Sequence, residues 1–334
     1  MNEKALMKKV TKSNNFSLVV VLIILFVCLS IARPNFLSGR NMLTILLGCS
    51  VVGLLSIGQA YLIIGGAIDV SCGAIGAMSG VLVTKMISEW HINWVLSGLI
   101  VILVGIGVGL WNAMLVNKFH LQPFIATLAT ASICEGAGYL ICSGRSISIA
   151  KNQVGFIGMG TTKILGVQLP IIYMVVLYIV FGIILAKTRF GRSVYMIGGN
   201  KTAANLAGIR PDRLLCKLYM ISGAMAAFAG ITLAARLNTG APSAIIGSEF
   251  DAITAVVLGG VAFNGGKGSM LGCFIGLLII QVFSNGLTII GVSSFWQTVA
   301  QGALLVLALV LDDYRSKRAM KAALKNTING EAKK

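Results

Sequence analysis

Long apolar runs that carry almost no charge recur along the chain. A helix that spans a bilayer needs about 20 consecutive apolar residues, and runs of that kind follow one another with only short breaks. They predict about ten membrane-spanning helices. The predicted spans are 16–32, 43–64, 68–88, 92–116, 121–142, 169–186, 214–236, 251–265, 268–289 and 293–311. The second and third runs are nearly fused, and the eighth is short.

This pattern predicts an all-α, polytopic membrane protein with one membrane domain. We divide the chain into a cytoplasmic N-terminal segment at 1–15, a transmembrane domain at 16–312 and a basic C-terminal tail at 313–334. No Pro-rich or Ser-rich linker separates a further soluble module. Any machinery that consumes energy is therefore expected on another subunit.

A short pattern recurs where the third and eighth spans begin. Gly65 precedes Asp69 by four residues, and Gly247 precedes Asp251 by the same interval. If spans one to five and six to ten are repeats, each half has an odd number of crossings and the second half must be inverted. We therefore predict an inverted repeat of five plus five helices.

Composition and charge agree with a membrane location. Hydrophobic residues make up 57% of the 334 positions and charged residues only 11%, a balance that a soluble core of this size does not hide. The net charge of +17 does not indicate nucleic acid binding, because ten spans place most Lys and Arg residues on one side. Cytoplasmic loops carry such an excess, so both termini are predicted to be cytoplasmic.

The chain lacks the patterns of an enzyme. His91 and His120 stand at the ends of spans that should lie on opposite sides of the membrane, and no nucleophile motif or metal motif accompanies them. The glycine-rich run at 258–268 does not match a phosphate-binding loop, because Gly268 replaces the required Ser or Thr. We expect no cofactor or metal in this chain and no catalytic residue.

The cytoplasmic stretch from Lys187 to Arg213 contains a short predicted helix. Asn200 is suited to cap its start, Gly208 to end it, and Pro211 prevents continuation. A helix of about seven residues is marginal in water, so it must pack against its own membrane domain or a partner. An ordinary amphipathic connector remains the alternative.

Several polar residues interrupt the apolar spans. A carboxylate at membrane depth must cap a helix, pair with another group or meet water, and amides in spans often make contacts between helices. Capping, ion coupling and lining of a polar path all remain open for these residues. The candidates for a translocation path are Asp69, Ser71, Gln59, Glu135, Asn285 and Gln301.

Four motifs between Phe16 and Asp312 resemble the permease subunits of bacterial ABC importers for ribose, xylose, arabinose and galactose-type sugars. They are Ile68, Asp69, Val70, Ser71 and Gly73; Thr127 to Thr130; Gly198, Gly199 and Asn200 with Ala203, Ala204, Gly208 and Ile209; and Asp251, Ala252 and Ile253 with Val256 to Gly260. Ala67 and Cys72 depart from the usual pattern, which affects local backbone detail and substrate rather than family.

The resemblance implies a subunit of an ATP-driven importer in the bacterial cytoplasmic (inner) membrane. Its implied partners are a second permease subunit, an ABC ATPase that binds ATP and Mg, an extracytoplasmic sugar-binding protein and the lipid bilayer, but no nucleic acid. The implied ATPase-coupling loop comprises Gly199, Asn200, Lys201, Ala203, Ala204, Gly208 and Ile209. The main alternative is an ion-coupled secondary transporter of a small polar solute, with Asp69 or Glu135 as the coupling carboxylate. A membrane-embedded enzyme or scaffold is the more distant alternative.

Overall fold

The computed structural model describes residues 14–331 and is built almost entirely of helices. The predicted segment 1–15 therefore lies almost wholly outside the described residues. The helices are α1 (Asn14–Ala32), α2 (Gly39–Ile64), α3 (Cys72–Ser88), α4 (Trp94–Asn117), α5 (Pro123–Ile141), α6 (Val154–Thr161), α7 (Leu169–Lys187), α8 (Arg189–Gly199), α9 (Lys201–Leu206), α10 (Pro211–Leu237), α11 (Ser248–Leu258), α12 (Met270–Ile290) and α13 (Ser294–Glu331). A 3₁₀ turn at Pro34–Leu37 joins α1 to α2.

Four two-residue strands form two small antiparallel pairs. β1 (Ile147–Ser148) pairs with β4 (Thr239–Gly240), and β2 (Lys163–Ile164) pairs with β3 (Val167–Gln168). These short strands lie in the connections between helices. The other regular elements of the described residues are helices, so the all-α prediction is confirmed.

Seven described helices are long and apolar enough to cross a bilayer, namely α2, α4, α5, α7, α10, α12 and the Ser294–Tyr314 part of α13. Two shorter apolar helices lie at Phe16–Ala32 and Cys72–Ser88. The eighth predicted span differs from expectation. Its helix, α11, has 11 residues, a rise of about 16 Å where the hydrocarbon core measures about 30 Å. Residues 259–269 instead form a loop with positive φ at Gly260, Gly265, Gly266 and Gly268.

Contacts between helices repeat in the two halves of the chain. In the first half, α3 packs against α4 and α5; in the second, α11 packs against α12 and α13. Across the halves, α10 packs against α3 and α4, just as α2 packs against α11 and α12. The leading helices break this symmetry, because α1 packs on α12 whereas α7 packs on α2.

The two repeats run in opposite directions. Arg236, at the end of α10, donates a hydrogen bond of 3.1 Å to the carbonyl of Leu47, near the start of α2. α2 and α10 are therefore antiparallel and pack against each other at the centre of the bundle. The repeat is inverted, and its shared core consists of four helices from each half.

Glycines allow the central helices to approach closely. A Cβ at Gly105 would overlap the backbone of Gly223, and one at Gly276 would overlap the carbonyl of Ala255. Small residues at such positions let helix backbones touch. These glycines therefore allow α4 to pack closely on α10, and α11 on α12.

Candidate functional site

Two helices of the central bundle are interrupted, and the points where they restart lie side by side. α3 begins after the irregular segment 65–71, and α11 begins after the segment 241–247. The Oε2 atom of Glu249 accepts a hydrogen bond of 2.9 Å from the backbone N–H of Gly247. A Cβ at Gly73 would overlap the same oxygen. One carboxylate thus lies between the N-terminal ends of α3 and α11, where the helix dipole favours negative charge.

Asp69 lies at the centre of a buried hydrogen-bond network. Its Oδ1 accepts bonds from the backbone N–H of Ser71, at 2.9 Å, and from the Ser71 hydroxyl. Its Oδ2 accepts a bond of 2.7 Å from the hydroxyl of Ser222 on α10. Asn112 on α4 donates to the Ser71 hydroxyl at 2.8 Å. Asp69 and Ser71 are completely buried, so these bonds join the segment before α3 to α4 and α10.

The backbone of the same segment is bonded to two further helices. The N–H of Val70 donates to the hydroxyl of Thr127 on α5 at 3.1 Å. The side-chain amide of Gln59 on α2 donates to the carbonyl of Asp69. Buried polar groups are costly unless they are hydrogen-bonded, so this network holds residues 69–71 in one position relative to four helices.

A polar cavity of about 330 Å³ lies between α11 and α13. Its lining combines the carboxylate of Asp251, the amide of Gln301, the hydroxyl of Thr298 and the ring of Phe250. Asp251 and Gln301 are half-buried, whereas Thr298 and Phe250 are exposed. A carboxylate, an amide, a hydroxyl and an aromatic ring are the groups that pair with the hydroxyls and apolar faces of a small polyol.

Asp251 lies near the middle of the bundle. Gly276 of α12 packs against the carbonyl of Ala255, six residues or about 9 Å from the start of α12. One turn closer to the start of α12, Gly272 packs against Gly259. The contact on α11 thus moves towards its C-terminal end as the contact on α12 moves towards its N-terminal end, so the two helices are antiparallel. Asp251 is therefore one more turn from the start of α12, about 15 Å from it along the helix axis, which is half of the length needed to cross a hydrocarbon core.

Three carboxylates share this region. Glu249 and Asp251 lie in the first turn of α11, and Glu135 of α5 lies near Glu249. The ion pairs in the described part of the chain join Lys85 to Glu89 and Lys317 to Asp313, not any of these three acids. Carboxylates at this depth face protein or water rather than lipid tails.

The loop that follows α7 has the local structure that its sequence predicts. The side chain of Thr188 caps α8 by accepting from Gly191 at 3.1 Å, and that of Asn200 caps α9 by accepting from Ala203 at 2.9 Å. α9 ends at Leu206, and Gly208 follows with a φ of 82°. The predicted capping by Asn200 and the turn at Gly208 are confirmed.

The surface of α9 is mostly open to solvent. Lys201 and Ala203 are exposed, whereas Ala204 is buried against the bundle. Leu206 is 85% exposed, which leaves an apolar side chain uncovered at the tip. Gly199, Asn200 and Gly208 are exposed as well, and Ile209 is half-buried.

The end of α8 packs against the end of α2 and against the loop that follows α11. The N–H of Gly266 donates to the carbonyl of Ile64 at 2.8 Å, and a Cβ at Gly198 would overlap both groups. The hydroxyl of Tyr195 donates to the carbonyl of Gly268 at 2.8 Å. Burial raises the pKa of Tyr195, which keeps the hydroxyl a neutral donor. We call the end of the bundle that carries α8, α9 and the 259–269 loop the basic end.

A family profile described as a branched-chain amino acid transport system / permease component matches residues 41–309. The chain belongs to this permease family. It is 39% identical to the ribose import permease protein RbsC of Bacillus subtilis (strain 168) over 295 residues, which are 88% of this chain and 91% of that protein. It is 34% identical to the L-arabinose ABC transporter permease protein AraH of Azospirillum brasilense over 310 residues, 92% of this chain and 91% of that protein. No solved structure matches the chain.

The permease is therefore a multi-pass membrane protein and a transport component rather than an enzyme. Its relatives are named as import and ABC transporter permeases, which favours the importer hypothesis over the ion-coupled alternative. The matched region runs from α2 into α13 and includes both interrupted helices and the α8–α9 loop.

The structure does not bring the six predicted path residues of the permease together at one site. Gln59, Asp69 and Ser71 belong to one buried network. Asn285 exchanges two hydrogen bonds of 3.0 Å with Asn41, and Gln301 donates to Ser284 at 3.1 Å. Glu135 is half-buried on α5. Of the six, Gln301 lines the cavity between α11 and α13.

Sequence reasoning did not select three groups that the structure makes prominent. Asp251 and Thr298 line the polar cavity, and Glu249 joins the two restarted helices. The spacing of Gly247 and Asp251 already singled out this segment, so the signal for Asp251 was present. Glu249 and Thr298 carried no comparable signal, because their roles arise from contacts between distant helices.

Proposed function

We propose that this chain is the permease subunit of an ATP-driven importer that provides the path for a monosaccharide. The observation that carries the proposal is the match to the ribose and L-arabinose permeases over most of the chain. An ABC ATPase that holds ATP and Mg supplies the energy, and an extracytoplasmic binding protein delivers the sugar. The chain itself holds no cofactor in this scheme.

The basic end is the cytoplasmic side in this proposal. Lys187, Arg189, Arg192 and Lys267 lie there, and the excess of Lys and Arg in cytoplasmic loops orients membrane proteins. Both termini then lie in the cytoplasm of a bacterium, and the protein resides in its inner membrane. The exposed surface of α9 is consequently available to a cytoplasmic partner.

The α9 helix receives the movement of the ATPase. Gly198, at the end of α8 just before α9, packs on the carbonyl of Ile64, and Ile64 is hydrogen-bonded to Gly266. Ile64 ends α2 five residues before Asp69, whereas Gly266 belongs to the loop after α11. A displacement of α9 therefore reaches both interrupted helices through backbone contacts, without a flexible side chain between them.

The polar cavity between α11 and α13 contributes to the sugar path. Its carboxylate lies at mid-membrane depth, where contact with lipid tails would be costly. This face is therefore covered by a water-filled path, which a second permease subunit completes. The lining offers only a few polar groups, as expected for a path that a sugar must leave as readily as it enters.

Reconstitution tests the proposal directly. The permease is placed in proteoliposomes with its ATPase and binding protein, and uptake of radiolabelled ribose and L-arabinose is measured. We expect uptake of one of them only with ATP present and all three components. Uphill uptake by the permease alone, driven by a proton or sodium gradient, would show that the ion-coupled alternative is correct and the proposal wrong.

A further inference from the structure

A recess at the basic end collects positive charge beside the α9 helix. It lies between the start of α8 and the start of α10 and has a volume of about 320 Å³. Four cationic side chains line it, from Arg189, Arg210, Arg213 and Lys217. Phe190 and Leu214 provide an apolar part of the lining.

Three of these cations lie at or just before the start of α10 and line the same recess. Arg213 and Lys217 stand four residues apart on α10, a spacing that brings side chains together on a helix surface, whereas Arg210 is the extended residue that precedes the helix. Arg189 faces them from α8. Like charges at the four-residue spacing of Arg213 and Lys217 destabilise a helix, so an anion in the recess would relieve the repulsion among these cations.

The protein does not neutralise this charge within the described residues. Its ion pairs join Lys85 to Glu89 and Lys317 to Asp313. Asp212 is the acid nearest in sequence, but it does not line the recess, and its described hydrogen bond is made by its backbone carbonyl.

The position of the recess indicates what anion it receives. Lys217 lies about 9 Å along α10 from the helix start at Pro211, further towards the bilayer interior in the proposed orientation. The cations thus extend along the membrane normal, from the cytoplasm into the depth of the headgroups. In the proposed function an ATPase meets the exposed Leu206 at the tip of α9, whereas Leu214 and Lys217 of the recess belong to α10, a helix long and apolar enough to cross the bilayer.

From these observations we infer that the recess binds the phosphate headgroup of an anionic phospholipid of the cytoplasmic leaflet. The inference rests on the proposed orientation of the basic end. Arginine binds phosphate oxygens through two parallel N–H groups, and basic pockets between helices on this side suit anionic headgroups. Phe190 and Leu214 contact the first methylene groups. Ile209 also lines the recess and lies in the connection between α9 and α10. A bound lipid would therefore stabilise the position of α9.

Lipid retention by the full-length protein tests the inference. The permease is purified in detergent, mixed with phosphatidylglycerol or phosphatidylcholine, and examined by native mass spectrometry. The test variant is Arg210→Gln with Arg213→Gln and Lys217→Gln. The matched control removes three exposed cations of the same end that lie outside the recess, through Lys118→Gln, Arg192→Gln and Lys267→Gln.

We expect the test variant to bind phosphatidylglycerol about tenfold or more weakly than the wild type, while the control variant binds it like the wild type. Binding of phosphatidylcholine should not change. Competition by millimolar inorganic phosphate would show instead that a free anion, not a lipid, is the ligand. Equal lipid binding by both variants would overturn the inference.

This assay needs neither sugar nor ATPase, so its outcome is independent of the transport experiment. A wild-type protein that retains phosphatidylglycerol but imports no sugar would contradict the proposed function alone. The thermal midpoint of each variant shows that it is folded, and Arg213→Lys, which keeps the charge, should retain the lipid.

Discussion

The backbone N–H of Gly266 donates a hydrogen bond of 2.8 Å to the carbonyl of Ile64. This bond joins the end of α2 to the glycine loop before α12, and Gly198 of α8 covers it. Three backbones meet there with no side chain between them. A push on the α8–α9 loop therefore reaches both repeats at once.

Gly198→Ala should disconnect ATP hydrolysis from transport. Its Cβ would overlap the carbonyl of Ile64 and the N–H of Gly266, so α8 must move away at a cost of about 1–3 kcal/mol. We expect sugar uptake per ATP hydrolysed to fall several-fold, measured in proteoliposomes. Gly98→Ala on α4 is the control, since a Cβ there meets no atom within 4 Å. Wild-type coupling in Gly198→Ala would remove this contact from the mechanism.

Asn200→Ala should weaken the α9 helix. The Asn200 side chain caps α9 by accepting from Ala203, and loss of such a cap costs about 1 kcal/mol. A helix of six residues has little stability of its own to offset this loss. We expect reduced ATP-driven uptake, with recovery in Asn200→Asp, which keeps an acceptor at the same position. Equal defects in both variants would show that the cap is not the cause.

Leu206→Gln should weaken binding of the ATPase. Leu206 is 85% exposed at the tip of α9, and an uncovered apolar side chain at a docking surface contributes through burial in the partner. We expect the dissociation constant of the ATPase to rise about tenfold, measured by surface plasmon resonance. Leu165→Gln is the control, because Leu165 is 99% exposed in the β2–β3 turn outside this loop. An unchanged constant for Leu206→Gln would place the contact elsewhere.

Asp251→Asn should lower sugar uptake while ATPase binding persists. A second variant, Asp251→Cys, tests whether this position meets water, in a background where Cys28 and Cys216 are replaced by Ser. We expect a membrane-impermeant thiol reagent to modify it during turnover. Val306→Cys, an exposed apolar position of α13 that does not line the cavity, should react far more slowly. Full protection of Asp251→Cys in every state would contradict a role in the path.

Ser222→Ala should destabilise the bundle. It removes the hydroxyl that donates to Oδ2 of Asp69, and a buried acceptor without a partner costs about 1–3 kcal/mol. Ser79→Ala is the matched control, because the Ser79 hydroxyl is buried without a described partner. We expect the thermal midpoint to fall by several degrees in the first variant only. Similar midpoints in both would mean that the Asp69 network contributes little to stability.

Local patterns explain what could be predicted from the sequence. Apolar runs determine which segments are helices in a membrane, because each backbone group must be satisfied within its own segment. Capping residues act within a few positions, so Asn200 and Gly208 mark the bounds of α9 correctly. The shared interval before Asp69 and Asp251 indicates the inverted repeat, which the antiparallel α2 and α10 then display.

Contacts between distant segments decided the rest. Composition alone does not reveal that Asp69 is bonded to Ser222 on α10, or that α11 stops after 11 residues. Nor does it indicate that Glu249 lies between the starts of α3 and α11. By itself, the sequence determined that this chain crosses a membrane many times, since hydrophobicity is a local property. Only the tertiary structure decided which polar residues stabilise the bundle and which line a cavity, because that depends on the helices that surround each side chain.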